Sequence, residues 1–405
     1  MKPPQTTANH STGKQAFILG TLIALGAFGI DTYLPAFPAI AKSLGVTEGQ
    51  VQLSLVSYFI AMAAGQMIYG PLSDRIGRRI PLQIGLGLFI LASAGAAMTS
   101  SIEALVALRF IQGLGACAGM VLSRAIVRDL KSGEEAARLF ALMLLVLGVS
   151  PIVAPLLGSA LLSFMPWQAL FWFQAGLGVL GFAMTARFLG ETHPPEKREK
   201  AKIGPLLRSY GVLLRDRRFI LPVLVGGFSQ SVMFAYLATS PFLYMTLYQV
   251  HPSWYSILFA INAIGLIGTA QGNIYLIRRF GTTKLVQFAT TIQTASAGVL
   301  LTSVLLGFDS LLLTGICLFL CLGVQGLIGP TTGMLSLEPY PEMAGAASAV
   351  SGTLQFALGA LSGSLVSVLF NGTAAPFAVV ITGCALIGVV LSRIVIQPKL
   401  ADATA

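Results

Sequence analysis

The chain has 405 residues, of which 55% are apolar and only 10% are charged. Because soluble domains carry about 25% charged residues, this composition excludes an ordinary soluble protein. The net charge of +10 permits a nucleic-acid surface, but apolar runs of about 20 residues, each long enough to cross a bilayer, recur along the chain. We therefore predict an all-α integral membrane protein with twelve transmembrane helices. The predicted spans are 16–38, 50–71, 80–99, 104–125, 139–163, 167–189, 219–243, 254–276, 284–306, 310–332, 344–369 and 375–396.

The first predicted span contains one carboxylate, Asp31, and two prolines, Pro35 and Pro38. We expect this span to be retained as a helix, because its N-terminal flank lacks the features of a cleavable signal peptide. A charge inside the bilayer is costly and marks a functional site by default. Pro35 removes a backbone donor and bends or ends the helix beside Asp31, which is tolerated at depth only where protein or water covers the backbone. For Pro38, a simple loop start is the favoured interpretation.

The fourth predicted span contains the second intramembrane charge, Arg109. At 1.5 Å per residue, Asp31 and Arg109 each lie about 22 Å from the inner end of their helix, so they can stand at one level and can pair if the helices are neighbours. One hypothesis is a structural ion pair that fixes helix packing. The other is that Asp31 carries a proton, because all three histidines lie in tails or loops.

The basic residues indicate how the chain is oriented. With a cytoplasmic N-terminus, the opposite loops hold only Lys42, and this bias places both termini in the cytoplasm and argues against a nucleic-acid partner. The largest polar stretch, 190–218, is predicted to be a cytoplasmic linker with an amphipathic piece around 206–214. It separates an N-terminal six-helix half, 1–189, from a C-terminal six-helix half, 219–405.

The two halves show a weak internal repeat. Arg75-Ile76-Gly77 aligns with Arg279-Phe280-Gly281 at an offset of 204 residues, and the same offset aligns Gly148 with Gly352. Such matches are what a duplicated six-helix unit leaves behind. A fold of this kind places its substrate site near the midplane, between the halves.

Several stretches of the sequence resemble known transporter motifs. GPLSDRIGRR at 70–79 and LRFIQGLGACAG at 108–119 are similar to two signatures of the major facilitator superfamily, the one between helices two and three and the one in helix four. DTYLPAFP at 31–38 resembles the helix-one signature of twelve-helix drug exporters. RAIVRDL at 124–130 and PWQALFW at 166–172 resemble the bicyclomycin-resistance (Bcr/CflA) branch of drug/proton antiporters. The resemblance implies a major facilitator fold in the bacterial cytoplasmic (inner) membrane.

The antiporter signature of that family has glycines around a central Gly-Pro in helix five. The corresponding stretch here is SPIVAPLLGS, with Ser150, Ala154, Pro155, Gly158 and Ser159. Two or three glycines are replaced, but the residues that replace them are small, so we expect close helix packing to persist. The resemblance to an antiporter is therefore retained in weakened form.

The stretch 70–79 and the inner end of helix four predict a conformational latch. Its candidate residues are Gly70, Asp74, Arg75, Gly77, Arg78, Arg128 and Asp129. Both glycines permit tight turns and close backbone approach, and Asp74 can pair with a nearby arginine. Such a cluster would hold one conformation and release in the other. Positive-inside anchoring is the alternative for Arg78 and Arg79.

Aromatic and amide side chains within the spans are candidates for binding a drug-sized, partly apolar substrate. They are Tyr33, Tyr58, Gln66, Gln112, Gln230, Tyr236, Asn262 and Gln355. For each of them, anchoring at the lipid interface or hydrogen bonding between helices is the alternative.

Together these features predict a proton-coupled secondary exporter that works by alternating access, with Asp31 and Arg109 as the proton-coupling residues. The resemblance implies drug-like substrates, such as bicyclomycin, sulfonamides or amphenicols. We expect no cofactor, since the sequence has no phosphate-binding loop for ATP, and neither a metal nor a disulfide at the four cysteines, which fall in apolar runs. The expected partners are a small molecule, protons and membrane lipid, and we expect a monomer.

Three alternatives differ in kind from drug export. The same fold could export an amino acid or another metabolite, or could work in uptake, against which the stretch 31–38 argues. An integral membrane enzyme would need clustered acids, histidines or metal ligands at one depth, and one aspartate with one arginine does not supply them. A channel or receptor is disfavoured by the organisation into two halves.

Overall fold

The structure is a computed structural model that describes residues 12–198 and 203–395. Twelve of its helical segments are long and apolar enough to cross a membrane, which confirms the predicted all-α membrane protein with twelve spans. Residues 1–11 and 396–405 lie outside the described residues, so the cytoplasmic position of the termini stays a prediction. The same holds for 199–202 of the predicted linker.

The chain divides into two compact units, Met1–Lys202 and Ile203–Ala405. The predicted limits of the halves, at 189 and 219, stay a prediction. The described part of the first unit contains α1 (Thr12–Asp31), α2 (Phe37–Leu44), α3 (Glu48–Ile76), α4 (Arg79–Met98), α5 (Ile102–Leu130), α6 (Gly133–Leu162) and α7 (Gln168–Phe188).

Proline interrupts the first span, as the sequence predicts. After Asp31 the chain passes through a single 3₁₀ turn, Leu34–Ala36, and Pro35 is the second residue of that turn. Helix α2 then completes the span Thr12–Leu44, and Pro38 lies in its first turn, so the loop start predicted at Pro38 is wrong. The backbone beside Asp31 is therefore not part of a continuous α-helix.

The described part of the second unit contains α8 (Ile203–Arg215), α9 (Arg217–Pro241), a π-helical turn (Phe242–Leu247), α10 (Pro252–Phe280), α11 (Thr282–Leu305), α12 (Leu311–Gly323), α13 (Gln325–Leu337), α14 (Ala344–Val368) and α15 (Ala375–Val395). The tenth predicted span, 310–332, is thus two helices that meet at Val324. Helix α8 covers the predicted amphipathic piece and buries Tyr210 and Leu213 against Phe219.

The predicted repeat coincides with a shared local structure. Helices α3 and α10 each have 29 residues, and each is followed by a glycine with positive φ, Gly77 at 95° and Gly281 at 80°. The ψ angles of 167° and 155° place both residues in a region that is essentially restricted to glycine. Glycine is therefore required at both turns.

Candidate functional site

Asp31, the last residue of α1, has a buried side chain with 5% of its surface exposed. Within the described residues, its carboxyl group forms neither an ion pair nor a side-chain hydrogen bond. Buried polar groups are nearly always hydrogen-bonded, and buried charges are nearly always paired. An acid without a protein partner at this depth is therefore exceptional.

Arg109 is fully buried on α5 and reaches the backbone of α1. Its Nη1 atom donates to the carbonyl oxygen of Gly29 at 2.9 Å and to Oε1 of Gln112 at 2.5 Å. Gly29 precedes Asp31 by two residues, which is about 3 Å along a helix axis. The guanidinium is thus hydrogen-bonded to the backbone of α1 two residues before Asp31.

Aromatic rings surround the Arg109 guanidinium. The Cζ atom lies 4.4 Å from the ring centroid of Tyr58, 4.6 Å from that of Tyr33 and 5.9 Å from that of Phe171. Cation–π contacts of this kind stabilise a cation that has lost its water. A Cβ at Gly29 would stand 2.7 Å from the Tyr58 hydroxyl, so this glycine allows the ring to approach α1.

Arg109 and Asp31 do not pair directly, since no ion pair joins them in residues 12–198. The Nε and Nη2 atoms of Arg109 are buried and have no hydrogen-bond partner there. A buried donor without a partner carries a desolvation cost of about 1–3 kcal/mol. The site therefore combines an acid with no protein partner and a cation with two unused donors.

A chain of neutral side chains extends from Arg109 across the first unit. Gln112 Nε2 donates to Ser93 Oγ at 2.6 Å and to Gln174 Oε1 at 2.7 Å, and Gln174 Nε2 donates to Thr32 Oγ1 at 2.7 Å. These bonds join α5, α4 and α7 to the turn that follows α1. This series of hydrogen bonds therefore ends at Thr32, the residue that follows Asp31.

The antiporter-motif residues lie on α6, where Ser150, Ala154, Pro155 and Gly158 are all buried. A Cβ at Gly158 would stand 2.4 Å from the carbonyl oxygen of Thr32, which is backbone and cannot swing away. Glycine at this position therefore lets α6 approach the break after α1. The weakened motif has kept a glycine at this contact with α1.

The first unit brings together three of its four predicted substrate-binding residues. Tyr33, Tyr58 and Gln112 surround the guanidinium, and the Tyr33 hydroxyl bonds to a serine of α3 at 2.7 Å. Gln66 is buried elsewhere between α3 and α5, where its Nε2 atom donates to the Met120 sulfur at 3.5 Å. The contacts of Gln66 thus lie outside the cluster around Arg109.

In the second unit, the predicted residues form two separate contacts. Asn262 Nδ2 donates to the Tyr236 hydroxyl at 3.0 Å, and Gln230 Oε1 accepts from Gln325 Nε2 at 2.7 Å. Gln355 is half-buried and donates to a serine one turn earlier on α14, at 3.4 Å. The structure therefore joins Tyr236 to Asn262 and leaves Gln355 apart.

Gln325 belongs to a buried neutral centre in the second unit. The Ser229 hydroxyl lies 2.7 Å from Gln293 Oε1 and also hydrogen bonds to Gln325 Oε1. Gln293 Nε2 donates to the Cys321 carbonyl at 3.2 Å and to Gln325 Oε1 at 3.3 Å. With Gln230, these side chains link α9, α11 and the junction of α12 with α13.

The predicted latch is centred on Arg78, a buried residue between α3 and α4. Its Nη1 atom lies 2.5 Å from Asp74 Oδ1 and its Nε atom 2.8 Å from Asp129 Oδ2. Burial alone would lower the pKa of the Arg78 guanidinium, but hydrogen bonds and charge from Asp129 and Asp74 raise the pKa above its ordinary value. Arg78 is therefore a charged bridge between α3 and α5, and membrane anchoring alone does not explain it.

Other predicted latch residues are placed differently. Arg75 and Arg128 are exposed and take no part in this cluster. The tight turn predicted at Gly70 is wrong, because Gly70 lies inside α3 and a Cβ there would meet nothing within 4 Å. The close approach predicted for Gly77 is present, since a Cβ there would stand 2.3 Å from Glu191 Oε2.

Glu191 is a structural residue that sequence reasoning missed. Its Oε1 atom accepts from the backbone N–H of Arg78 at 2.8 Å and its Oε2 atom from that of Arg79 at 3.3 Å. A carboxylate at a helix N-terminus satisfies backbone donors and complements the helix dipole. Ser93 and Gln174 were also missed, although Gln174, a lone amide within an apolar run, was a visible signal.

Comparisons with known proteins identify relatives along nearly the whole chain. The family model described as Major Facilitator Superfamily matches residues 17–364. An uncharacterized MFS-type transporter, YdgK, of Bacillus subtilis is 39% identical over 94% of this chain and 96% of its own. A bicyclomycin resistance protein homolog of Haemophilus influenzae is 32% identical over 92% and 93%, respectively. A chloramphenicol resistance protein of Pseudomonas aeruginosa is 31% identical over 91% and 88%.

Solved structures share the fold at low sequence identity. A D-xylose-proton symporter superposes with a TM-score of 0.74 at 14% identity, covering 94% of this chain and 97% of its own. A point mutant of the nucleoside transporter NupG superposes with a TM-score of 0.73 at 16% identity, covering 95% and 99%. At such identities, the likeness concerns the arrangement of helices and not the substrate.

Proposed function

This chain belongs to the Major Facilitator Superfamily and is a multi-pass transporter of the bacterial inner membrane, and we propose that it exports drug-like small molecules by alternating access, driven by inward proton flow. Two relatives that match it over most of their length are named for resistance to bicyclomycin and chloramphenicol. We propose these two antibiotics, with sulfonamides, as the first substrates to test.

The observation that carries proton coupling is the buried carboxyl of Asp31, which has no partner in the described residues. An unpaired carboxylate away from water is costly, whereas the neutral acid is not. This arrangement therefore suits a carboxyl group that holds a proton in one state and gives it up in another.

Arg109 supplies the means of release. Its Nη1 atom is held by Gly29 and Gln112, but Nε and Nη2 have no partner in residues 12–198. Once Asp31 loses its proton, these two donors can stabilise the carboxylate, directly or through water. The break in helix α1 after Asp31 allows the acid to move toward them without bending a continuous helix.

The transport cycle follows from the two states of this pair. Asp31 takes up a proton from the outer side, and the protonated state permits the unit to change conformation. Substrate arriving from the cytoplasm favours release of that proton, and the loaded transporter returns. Tyr33 and Tyr58 contact the Arg109 guanidinium, which stabilises the Asp31 carboxylate in this proposal. A ligand that contacts these two rings is therefore linked, through Arg109, to proton release from Asp31.

The test uses inverted membrane vesicles that carry an imposed proton gradient, with proton release followed by a fluorescent pH indicator. Bicyclomycin, chloramphenicol, a sulfonamide, cationic dyes and amino acids are added in turn. We expect an antibiotic or a dye to release protons in wild type, and we expect Asp31→Asn to abolish that release.

The matched control is Asp309→Asn, which changes an acid outside the proposed proton site while leaving Asp31 intact. It should keep release near the wild-type level. Release that persists in Asp31→Asn would place the proton on another group. Release by amino acids alone would assign the transporter to metabolite export.

A further inference from the structure

Three basic side chains meet at the end of α7, and they come from three different helices. Lys14 of α1 places its Nζ atom 3.7 Å from the centre of the Phe188 ring, and Arg187 of α7 places its Cζ atom 5.8 Å from the same centre. Arg79 of α4 donates from Nη2 to the Ala186 carbonyl oxygen at 3.1 Å. All three basic residues are exposed. We call this cluster of Lys14, Arg79 and Arg187 the basic rim.

The described part of the chain provides no acid that pairs with the basic rim. In residues 12–198, none of its three side chains forms an ion pair. Glu191 reaches the same end of α4, but its carboxylate accepts from the backbone N–H groups of Arg78 and Arg79 and lies 3.9 Å from Arg198 Nη2. Like charges held close together repel one another. The rim therefore keeps a positive charge that an anion can neutralise.

Stabilising the end of α7 is one role of these cations, because the last carbonyl groups of a helix carry partial negative charge. That role occupies little of their hydrogen-bonding capacity. A guanidinium has five N–H donors and an ammonium has three. In residues 12–198 the Arg79 side chain forms one hydrogen bond, and the side chains of Lys14 and Arg187 form none. Most donors of the rim are therefore available to a ligand.

An apolar stripe on α7 leads away from the basic rim into the span. Leu180 and Ala183 precede Arg187 by seven and four residues, so the three share one face of the helix. Ala183 is exposed, and Leu180 is 49% exposed. In its first two turns, α4 exposes Ile80 by 52% and Ile84 by 54%. A molecule bound at the rim would thus have exposed apolar surface directly beside it.

The combination of charge and apolar surface selects the occupant. A free inorganic anion would neutralise the cations but would leave the apolar stripe uncovered. A lipid without net charge would cover the stripe but would leave the rim positive. An anionic phospholipid carries a phosphate and acyl chains in one molecule, and basic pockets between spanning helices are known to bind such headgroups.

We propose that the basic rim binds an anionic phospholipid. Its phosphate is held by Lys14, Arg79 and Arg187, and one of its acyl chains lies along the stripe of Ala183 and Leu180. The site lies within the first unit and requires neither proton coupling nor a drug. Because the three cations belong to α1, α4 and α7, the bound lipid joins the start of α1 to two other helices.

The test uses the full-length protein in nanodiscs that contain phosphatidylglycerol or phosphatidylethanolamine, each with the same photoactivatable acyl chain. Irradiation attaches the lipid to nearby residues, and mass spectrometry maps the adducts. The readout is the ratio of phosphatidylglycerol to phosphatidylethanolamine adducts, which cancels differences in exposure between positions. We expect the ratio at residues 80–84 and 179–187 to exceed the ratio on α12, a helix without charged residues, by about tenfold or more.

The decisive variant combines Lys14→Gln, Arg79→Gln and Arg187→Gln. It should reduce the ratio at the site to the value on α12, because each cation near an anionic headgroup favours binding by a factor of about five. The three single replacements are measured in parallel in case the triple variant does not fold. Each of them should lower the ratio by a factor of about three to five.

The matched control combines Arg278→Gln, Arg279→Gln and Arg393→Gln. It removes the same charge from exposed arginines of the second unit. These arginines are not gathered on one helix end: Arg393 donates to Thr291 Oγ1 on α11 at 3.0 Å, and Arg279 donates to the Tyr275 hydroxyl on α10 at 3.5 Å. The control should keep the wild-type ratio at residues 80–84 and 179–187.

Three results would overturn the proposal. A wild-type ratio that is the same at the site and on α12 would mean that the rim does not distinguish lipids. A ratio that survives in the triple variant, or falls equally in the control, would mean that these three cations do not form the site. Loss of the excess when phosphate replaces chloride at constant ionic strength would show that the rim binds a free anion. Because labelling needs no gradient, a failure of proton-driven export would not alter any of these results.

Discussion

In the first unit the buried polar centre is built around a guanidinium, and in the second it is built from a serine and three glutamines. The Ser229 hydroxyl hydrogen bonds to Oε1 of Gln293 and to Oε1 of Gln325, and Gln293 Nε2 donates to the Cys321 carbonyl oxygen and to Gln325 Oε1. Arg109 leaves two donor atoms, Nε and Nη2, unused, and Asp31 has no protein partner in the described residues. The two centres thus occupy units of similar architecture but differ in charge and in hydrogen-bond satisfaction.

We propose that this difference separates a centre that only holds helices together from the centre that handles the proton. Hydrogen bonds between neutral side chains in membrane helices average about 0.6 kcal/mol and hold helices together. A buried cation costs several kcal/mol unless it is compensated, and ring contacts with two hydrogen bonds compensate Arg109 only in part. We infer that the first unit holds the proton chemistry and that the neutral centre of the second unit holds helices in place.

The largest expected effect comes from removing the charge of the first centre. Arg109→Met should lower gradient-driven transport about 100-fold or more, which is about 2.7 kcal/mol of activation free energy. Arg109→Lys should rescue little, because an ammonium lacks the planar group that fits between the rings of Tyr33 and Tyr58. Initial transport rates per folded transporter, measured in vesicles, check both variants.

Gln325→Leu is the paired variant in the second unit. It removes neutral hydrogen bonds and should change the rate within about threefold, in keeping with the small value of such bonds in membranes. If Gln325→Leu abolished transport as completely as Arg109→Met, while the folded protein remained abundant, the division of labour between the units would be wrong.

A smaller effect is expected at the two glycines that follow α3 and α10. Gly77→Ala and Gly281→Ala should each destabilise by about 1–3 kcal/mol, because both residues adopt positive φ. Gly77→Ala should cost about 1 kcal/mol more, since its Cβ would displace the Glu191 carboxylate from the start of α4. Thermal unfolding in detergent measures both.

The excess at Gly77 can be assigned by a double variant. In a Glu191→Ala background, Gly77→Ala should cost no more than Gly281→Ala does, because the Glu191 clash is gone and the Arg198 side chain, which no longer pairs with Glu191, can move aside. Equal costs for the two glycines in the wild-type background would show that the contact with Glu191 contributes nothing to stability.

The smallest effect is expected where Asp216, between α8 and α9, is joined to Tyr340. The Tyr340 hydroxyl and the backbone N–H of Arg218 donate to the Asp216 carboxylate and lower its pKa below the ordinary value of 3.8. A lowered pKa means that the contact stabilises the fold above the ordinary pKa and that this stability is lost as the pH falls through the lowered one. The contact should therefore matter at neutral pH.

Asp216→Asn tests this dependence. Its melting temperature should lie slightly below that of wild type at neutral pH, and the difference should shrink once the pH drops below 3.8. The buried Arg78 cluster of the first unit is the same in wild type and in this variant, so its contribution to stability cancels in the comparison. A difference that grew on acidification would contradict the assignment of the carboxylate as the acceptor.

The sequence was enough to predict the twelve spans, because hydropathy measures the apolar thickness that a helix must cross. Hydropathy does not measure the full length of a helix. The spans predicted at 50–71 and 104–125 are therefore shorter than the helices in the structure, Glu48–Ile76 and Ile102–Leu130. The extra turns lie mostly at polar ends that no apolar pattern marks. The break at Val324 was missed because no proline or charge stands there.

The sequence was enough to predict which charged residues form the site, but it was not enough to predict the contacts that those residues make. Asp31 and Arg109 stand out because each is an isolated charge in an apolar run. Their relation was not predictable, since Arg109 bonds to the Gly29 carbonyl and not to the acid, and any residue at position 29 would supply a carbonyl. Glu191 was hidden in a charged linker where one more carboxylate carries no signal.

The most direct test of the central claim, that Asp31 carries the coupled proton, compares two transport modes in proteoliposomes. Uphill transport needs a proton gradient, whereas exchange of labelled for unlabelled substrate across the membrane needs no net proton movement. The labelled compound is the one that releases protons in inverted vesicles. Asp31→Asn should lose uphill transport, because asparagine cannot carry a proton, and should keep exchange, because exchange moves the substrate-loaded transporter in both directions with no net proton movement. Uphill transport that survives in Asp31→Asn would contradict the claim.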